Sequence, residues 1–352
     1  MFAAIEGGYP FGVLPGQAEG FAEARRRRAS GDSSEDAFQA AADAWVTEIV
    51  AEQARHGLSM VTDGWARWRA ETPTDLARDL LAGTITPEDL VRAWRWADDG
   101  IDALVKQVLP GPWSAARDLA GPGASVAERR AIARDLLDAL VAAGAALRAS
   151  MVPVLQFEEP AIVGIGADEA AWDDLAETLA ELVARLPDIH CSLSITGGAA
   201  HPAGHGRLGA IGFQSLLVDV VRGRRDGWRL IHSLRPETGV IVGAVSATNP
   251  AVDDAEMLVW AATIAAESNG RGYLRTGIST AGSLAGLERF RARRKVEEMG
   301  TAVQLAKLGP LGKVARRLQP DPLRCRIGSL RRLYEDHLAA LGTLGREAEG
   351  AP

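Results

Sequence analysis

The feature that most constrains this chain is a rhythm of short apolar runs, each closing in a polar or glycine-rich exit and each separated from the next by a helical stretch. The clearest run is Met151–Phe157, inside SMVPVLQFEEP, which stops abruptly at Glu158, Glu159 and Pro160. Continuous apolar runs of this length fill strands buried on both faces, as parallel sheets require. The same reading gives strands over Phe2–Ile5, Leu58–Thr62, Ala103–Leu109, Ile189–Ile195, Ser215–Val221, Gly239–Val245 and Leu274–Ile278. Eight strands alternating with helices predict an α/β fold, a single (β/α)8 TIM barrel.

Helix signals fall between these runs. Ser33 or Ser34 followed by acids opens a helix that Gly57 stops, and Ser125–Arg148 and Asp168–Leu186 flank the central strand. The stretch before Ser33, with Arg25 to Arg28 among nearby acids, reads as a solvated loop, and the Gly, His and Pro-rich segment 199–212 as a second loop. A last barrel helix covers about 287–308. The predicted domains are therefore a barrel over 1–309 and, over 310–352, a linker punctuated by Pro310, Pro320 and Pro322 with a C-terminal helical extension that offers a homodimer contact.

Charge and cysteine content narrow the function classes. A formal net charge of −7 leaves no clustered basic footprint for nucleic acid. No apolar run is long enough to cross a membrane, so the expected partner is a small-molecule substrate. Cys191 and Cys325 stand far apart, no secretory leader is recognised, and the expected location is the reducing cytoplasm.

In a parallel barrel, chemistry gathers where the strands end, because the loops there converge on one mouth. Aligning the predicted strand ends gives Glu6, Tyr9, Asp63, Arg67, Lys106, Gln107, Gln156, Glu158, Glu159, His190, Ser192, Asp219, Ser246, Thr248, Ser279 and Ser283 as a polar inventory. Consecutive residues leaving a strand diverge, so one of Glu158 and Glu159 is expected to face the mouth and the other to bond backbone.

The order of motifs resembles the C-terminal catalytic barrel of the cobalamin-independent methionine synthase family, within the group that also holds uroporphyrinogen decarboxylase. The residues that carry the resemblance are GGYP at Gly7–Pro10, VTDGWAR at Val61–Arg67, LPGPWS at Leu109–Ser114, AGAALRASMVPVLQFEEPAI at Ala143–Ile162 and GSLAGL at Gly282–Leu287. The resemblance implies methyl transfer from a folate-type donor to a thiol held deprotonated by zinc. Its ligand pattern is a His-x-Cys, a Glu and a Cys. Here His190 matches the His, Ser192 stands where a Cys belongs, Asp219 replaces the Glu and Gly282 falls at the last Cys, so zinc is not expected at the family site. Trp65 replaces the acid that holds the substrate ammonium, so the acceptor is expected not to be homocysteine. A substitute metal cluster from His190, Cys191, His201 and His205 is the alternative.

Three functions remain open. The first is a methionine-synthase-like methyltransferase with Glu158, Asp63 and His190 as catalytic residues and Glu6, Tyr9, Trp65, Arg67, Lys106, Gln156, Ser192, Asp219, Ser279 and Ser283 binding substrate. The second is a metal-independent lyase or decarboxylase using the mouth carboxylates as acid and base, with Lys106 or Arg67 holding an anion. The third is a non-catalytic ligand-binding barrel.

Overall fold

Local sequence sets the helix starts. Ser34 accepts a hydrogen bond from Ala37 N at the head of α2 (Glu35–Arg55). Thr72 with Asp75 and Thr86 with Asp89 form reciprocal capping boxes, each followed by proline, at α3 (Pro73–Leu81) and α4 (Pro87–Asp98). Ser125 with Glu128 does the same for α6 (Val126–Ala149). Each such cap satisfies backbone donors the helix cannot, worth about 1 kcal/mol. The computed structural model describes residues 1–12, 20–65 and 72–307.

The strands run β1 (Phe2–Ala4), β2 (Met60–Val61), β3 (Leu104–Val105), β4 (Gln107–Pro110), β5 (Val154–Glu158), β6 (His190–Ile195), β7 (Ser215–Asp219), β8 (Gly239–Val245) and β9 (Thr276–Thr280). Seven form one parallel sheet in the order β1, β9, β8, β7, β6, β5, β4, and β2 pairs with β3. Lys106 joins β3 to β4, and Ser59 N donates to Ala3 O at 3.1 Å, so the two sheets continue one another around the ring. The result is a TIM-barrel-like α/β fold, as the alternating runs predict. Helices α5 (Pro112–Ala120), α7 (Glu169–Ala184), α8 (His205–Ala210), α9 (Arg224–Ser233), α10 (Ala255–Glu267) and α11 (Arg289–Lys307) pack outside it. Trp45, Phe38, Trp172 and Trp228 are fully buried in that outer layer.

Several expectations change. Strand five starts at Val154, because Met151 takes a left-handed φ of 70° and is 83% exposed. The last strand starts two residues late, leaving Leu274 in a 3-10 turn. The predicted loop at Arg25–Arg28 is helical, within α1 (Phe21–Ser30), and its arginine stems explain why. Arg25 lies 4.7 Å above Phe11 and Arg28 4.0 Å above Phe38, so the polar run covers aromatic surface. The 199–212 segment folds into a 3-10 turn and α8. The predicted linker and C-terminal helix lie outside the described residues.

Two contacts lock α11 to the barrel. A Cβ at Gly300 would stand 1.5 Å from His56 O, so only glycine permits that approach. Lys295 Nζ, buried, bonds Asp253 Oδ2 at 2.7 Å and Ala251 O at 2.6 Å.

Candidate active site

The site is built on a brace across the barrel. Lys106 is fully buried, and its three donors all have acceptors: Ile5 O at 2.7 Å, Glu6 O at 2.8 Å and Gln156 Oε1 at 2.5 Å. The Gln156 amide in turn donates to Glu6 O at 2.7 Å. Burial brings the Lys106 pKa down to about 8, against the pull of Glu6 and Glu158, which leaves it an ammonium at neutral pH. Lys106 is thus a positioning residue with no donor free for a substrate, which corrects its assignment as a substrate ligand or anion holder, and Gln156 is tied into the same brace.

Glu6 stands above this brace. Its Oε1 accepts from Ser194 Oγ at 3.2 Å and Thr196 Oγ1 at 3.0 Å, and its backbone N–H donates to Thr280 Oγ1 at 2.9 Å. Burial raises its pKa, opposed by the Thr196 hydroxyl, Lys106 and Ser194. Ser194, Thr196 and Thr280 are missing from the inventory of strand ends read from sequence. The alternation of hydroxyls at Ser192, Ser194 and Thr196 is the available signal, since residues two apart share one face of a strand.

Glu158 and Glu159 diverge. Glu159, fully buried, turns to the head of α5, where Oε1 accepts from Trp113 N at 3.0 Å and Oε2 from Ser114 N at 2.7 Å. Ser114 Oγ then accepts from Ala161 N at 3.0 Å, so the Glu-Glu-Pro exit and α5 hold each other. Gly111 is required for the approach, because a Cβ there would lie 2.3 Å from the Glu159 carboxyl carbon.

Burial pushes the Glu159 pKa up to about 7 against those N–H donors. A raised carboxyl pKa means stability fully present below the ordinary value near 4.5 and lost as pH rises through about 7. Urea midpoints are expected to fall from pH 5 to pH 8. Glu159→Gln should flatten that fall and, by placing an amide group against one backbone N–H, cost about 1–3 kcal/mol at pH 5. An unaltered pH dependence in the variant would remove Glu159 from this role.

Glu158 turns inward. Its Oε1 is buried and has no hydrogen-bond partner among the described residues, and the same is true of Trp65 Nε1. A Cβ added at Gly7 would meet Glu158 Oε1 at 2.6 Å and Trp65 Nε1 at 2.8 Å, so an acceptor-or-acid and a donor converge where glycine leaves room. Unpartnered buried polar atoms cost free energy, so two of them at one place call for an explanation. Trp65 carries a φ of 65°, a conformation costing about 1–2 kcal/mol for a residue with a side chain. Asp63 Oδ1 holds it by accepting Trp65 N at 3.1 Å. Burial first, then the Glu6 charge, raise the Glu158 pKa well above the usual carboxylate range, against Lys106 and a Gln156 hydrogen bond. Glu158 therefore holds its proton more tightly than an ordinary carboxyl group.

Other predicted residues lie elsewhere. His190 opens β6 rather than closing it, so it and Ser192 belong to the opposite end of the barrel from Glu158. Tyr9 donates to Glu52 Oε1 at 2.6 Å, in a cluster with Arg289 on α11, and does not face the mouth. Asp219 is engaged by three backbone donors, Gly197 N, Val221 N and Arg222 N, as a loop brace. Ser279 is buried on β9 with its Oγ unpartnered among the described residues, and Ser283 accepts from Ala285 N at 3.2 Å on the exposed rim beside Gly8. Arg67 lies outside the described residues.

Among the described residues no three His, Cys, Asp or Glu side chains come together as a metal would need. At the mouth, the inward pair at the exit of β6 is Ser194 and Thr196. Cys191 is buried with its thiol pushed up to about 12, His201 is exposed, and His205 Nε2 meets Ala200 O at 3.1 Å, so the substitute cluster does not assemble.

No family description and no curated protein matches this sequence. Solved structures share its fold. One is a B12-independent methionine synthase from Shewanella sp. W3-18-1 in complex with selenomethionine, with 13% identity, a TM-score of 0.65, and 87% of this chain aligned to 97% of that one. Another is a putative vitamin-B12 independent methionine synthase from Listeria monocytogenes, with 17% identity, a TM-score of 0.62, and 91% of this chain aligned to 98% of that one. At these identities the likeness is one of fold, and it places this chain among barrels shaped like those two proteins.

Proposed function

We propose that the protein is a methyltransferase that takes a methyl group from a folate-type amine donor and passes it to a small acceptor other than homocysteine, with Glu158 as general acid. The observation that carries this reading is the convergence of Glu158 Oε1 and Trp65 Nε1, both buried and unpartnered among the described residues, at Gly7. A methyl group leaves a tertiary amine readily only if the nitrogen receives a proton, since an amide anion is a poor leaving group. Glu158, in its protonated form, gives that proton as the acceptor attacks the methyl carbon and the C–N electron pair returns to nitrogen. Glu158 ends as a carboxylate and recovers its proton from solvent. The Trp65 indole N–H orients an acceptor atom of the donor molecule, and Lys106 with Gln156 keeps Glu6 and the β1 exit in place. The barrel shape shared with methionine synthases agrees with this chemistry.

The residues at the mouth also favour a second reading. Ser194, Thr196 and Gly282 supply no thiolate or imidazole, so a lyase in which Glu158 exchanges a proton with a substrate carbon uses the same group without methyl transfer. Incubation with 5-methyltetrahydrofolate and a panel of thiol and amine acceptors separates the two. Methyl transfer that persists after treatment with a chelator supports the proposal. Saturating donor that neither binds nor loses its methyl group would sink it and leave the lyase.

A further inference from the structure

We infer that the barrel carries a second ligand site at its opposite end, for an uncharged, largely apolar small molecule bearing one hydrogen-bonding group. A cavity of about 420 Å³ opens there, within the size range of small-molecule pockets. TIM barrels ordinarily fill this region with branched aliphatic side chains. Here the inward positions on β6, β7, β8 and β9 are Ser192, Ser215, Gly239 and Gly277, which leave the space open. Phe2 lies across Gly277, where a Cβ would stand 2.5 Å from its ring, and forms one wall. Val154 and Ile241 add apolar surface, and Gln156, whose amide is held by Glu6 and Lys106, is a buried polar residue of the lining.

The polar feature of this cavity is a relay. His190 Nε2 lies 2.8 Å from Ser215 Oγ, which lies 2.9 Å from Ser192 Oγ. Burial lowers the His190 pKa, so the ring is neutral at pH 7 and can carry its proton on either nitrogen. With the proton on Nε2 the relay runs inward, and the Ser192 hydroxyl hydrogen is left to donate. With the proton on Nδ1 the relay runs outward, and Ser192 Oγ is left to accept. One small site can therefore receive an alcohol, a phenol or a carbonyl. The charged residues of the lining, Glu237 and Arg275, are exposed at the rim and none lies in the depth, which disfavours an ion. The rim also carries exposed Gln214, whose Oε1 accepts from Cys191 N, beside the exposed apolar Leu104 and Leu274.

The test uses the full chain with two fluorescent probes, 2-naphthol and 2-methylnaphthalene, which differ in one hydroxyl. Both are expected to bind saturably, with 2-naphthol about fivefold tighter through one hydrogen bond. Ser192→Ala should erase that difference and leave 2-methylnaphthalene binding unchanged. Val154→Phe should abolish both by filling the space. If Val154→Phe fails to fold, the wild-type His190 ring resonances locate the probe instead, since bound 2-naphthol should shift them and leave those of His201 in place. Absence of saturable binding, or binding that shifts His201 and not His190, overturns the inference.

Discussion

Glu158→Gln is expected to lower turnover by about 10²- to 10⁴-fold, the usual contribution of one positioned acid, while changing ligand affinity little. Protonated Glu158 and the amide have the same shape and no charge, so a donor molecule docked against Trp65 Nε1 meets the same surface in both. What the amide lacks is a transferable proton. Wild-type turnover should fall as pH rises through the raised pKa of Glu158, because the carboxylate has no proton to give. Stability carries the same sign, since a carboxyl raised in the folded state stabilises below its unfolded value and loses that contribution as pH rises. Calorimetric titration beside single-turnover kinetics makes the check. Equal loss of binding and rate would mean that Glu158 recognises the ligand as an anion, and undiminished turnover would remove it from the chemistry.

Lys106→Met should cost about 3–5 kcal/mol of stability, the penalty for removing one member of a buried charged network. Three acceptors, Ile5 O, Glu6 O and Gln156 Oε1, would lose their donor, and the buried Glu6 carboxyl would lose its counter-charge. Urea unfolding at pH 7 measures it. The companion variant Lys106→Met with Glu6→Gln should recover part of the loss, because the second change removes the uncompensated acid. A double variant no more stable than the single one would show that the backbone acceptors, not the carboxyl, carry the penalty.

The strands are legible in the sequence because burial on both faces leaves a signature that short loops do not imitate. The end of each strand is less legible. In HCSLSITGG, both the pair His190 and Ser192 and the pair Ser194 and Thr196 obey the two-residue alternation, and only the paired register with β5 and β7 decides which reaches the mouth. Motif order favours the former, and the structure gives the latter. Tyr9 misleads for a related reason: the turn at Gly7 and Gly8 sends its ring toward Glu52, a partner 43 residues on. The inward Glu158 and the capping Glu159 follow from strand geometry, whereas the meeting of Trp65 Nε1 with Gly7 depends on tertiary contact that no local pattern encodes. Helix α5 is hidden because its opening proline and glycine read as a turn, yet its first two free N–H groups are what Glu159 binds.

The brace through Lys106 also acts as a bulkhead for proton traffic. Each ammonium hydrogen is already held by an acceptor, so a hopping path between the two ends of the barrel would have to break one of those bonds before it could conduct. Protons used at Glu158 are therefore drawn from the bulk liquid above the mouth. Buffer catalysis and solvent isotope effects on turnover should then respond to changes in the rim and ignore substitutions of His190, Ser192 or Ser215, leaving the two ends free to drift apart in evolution without disturbing one another.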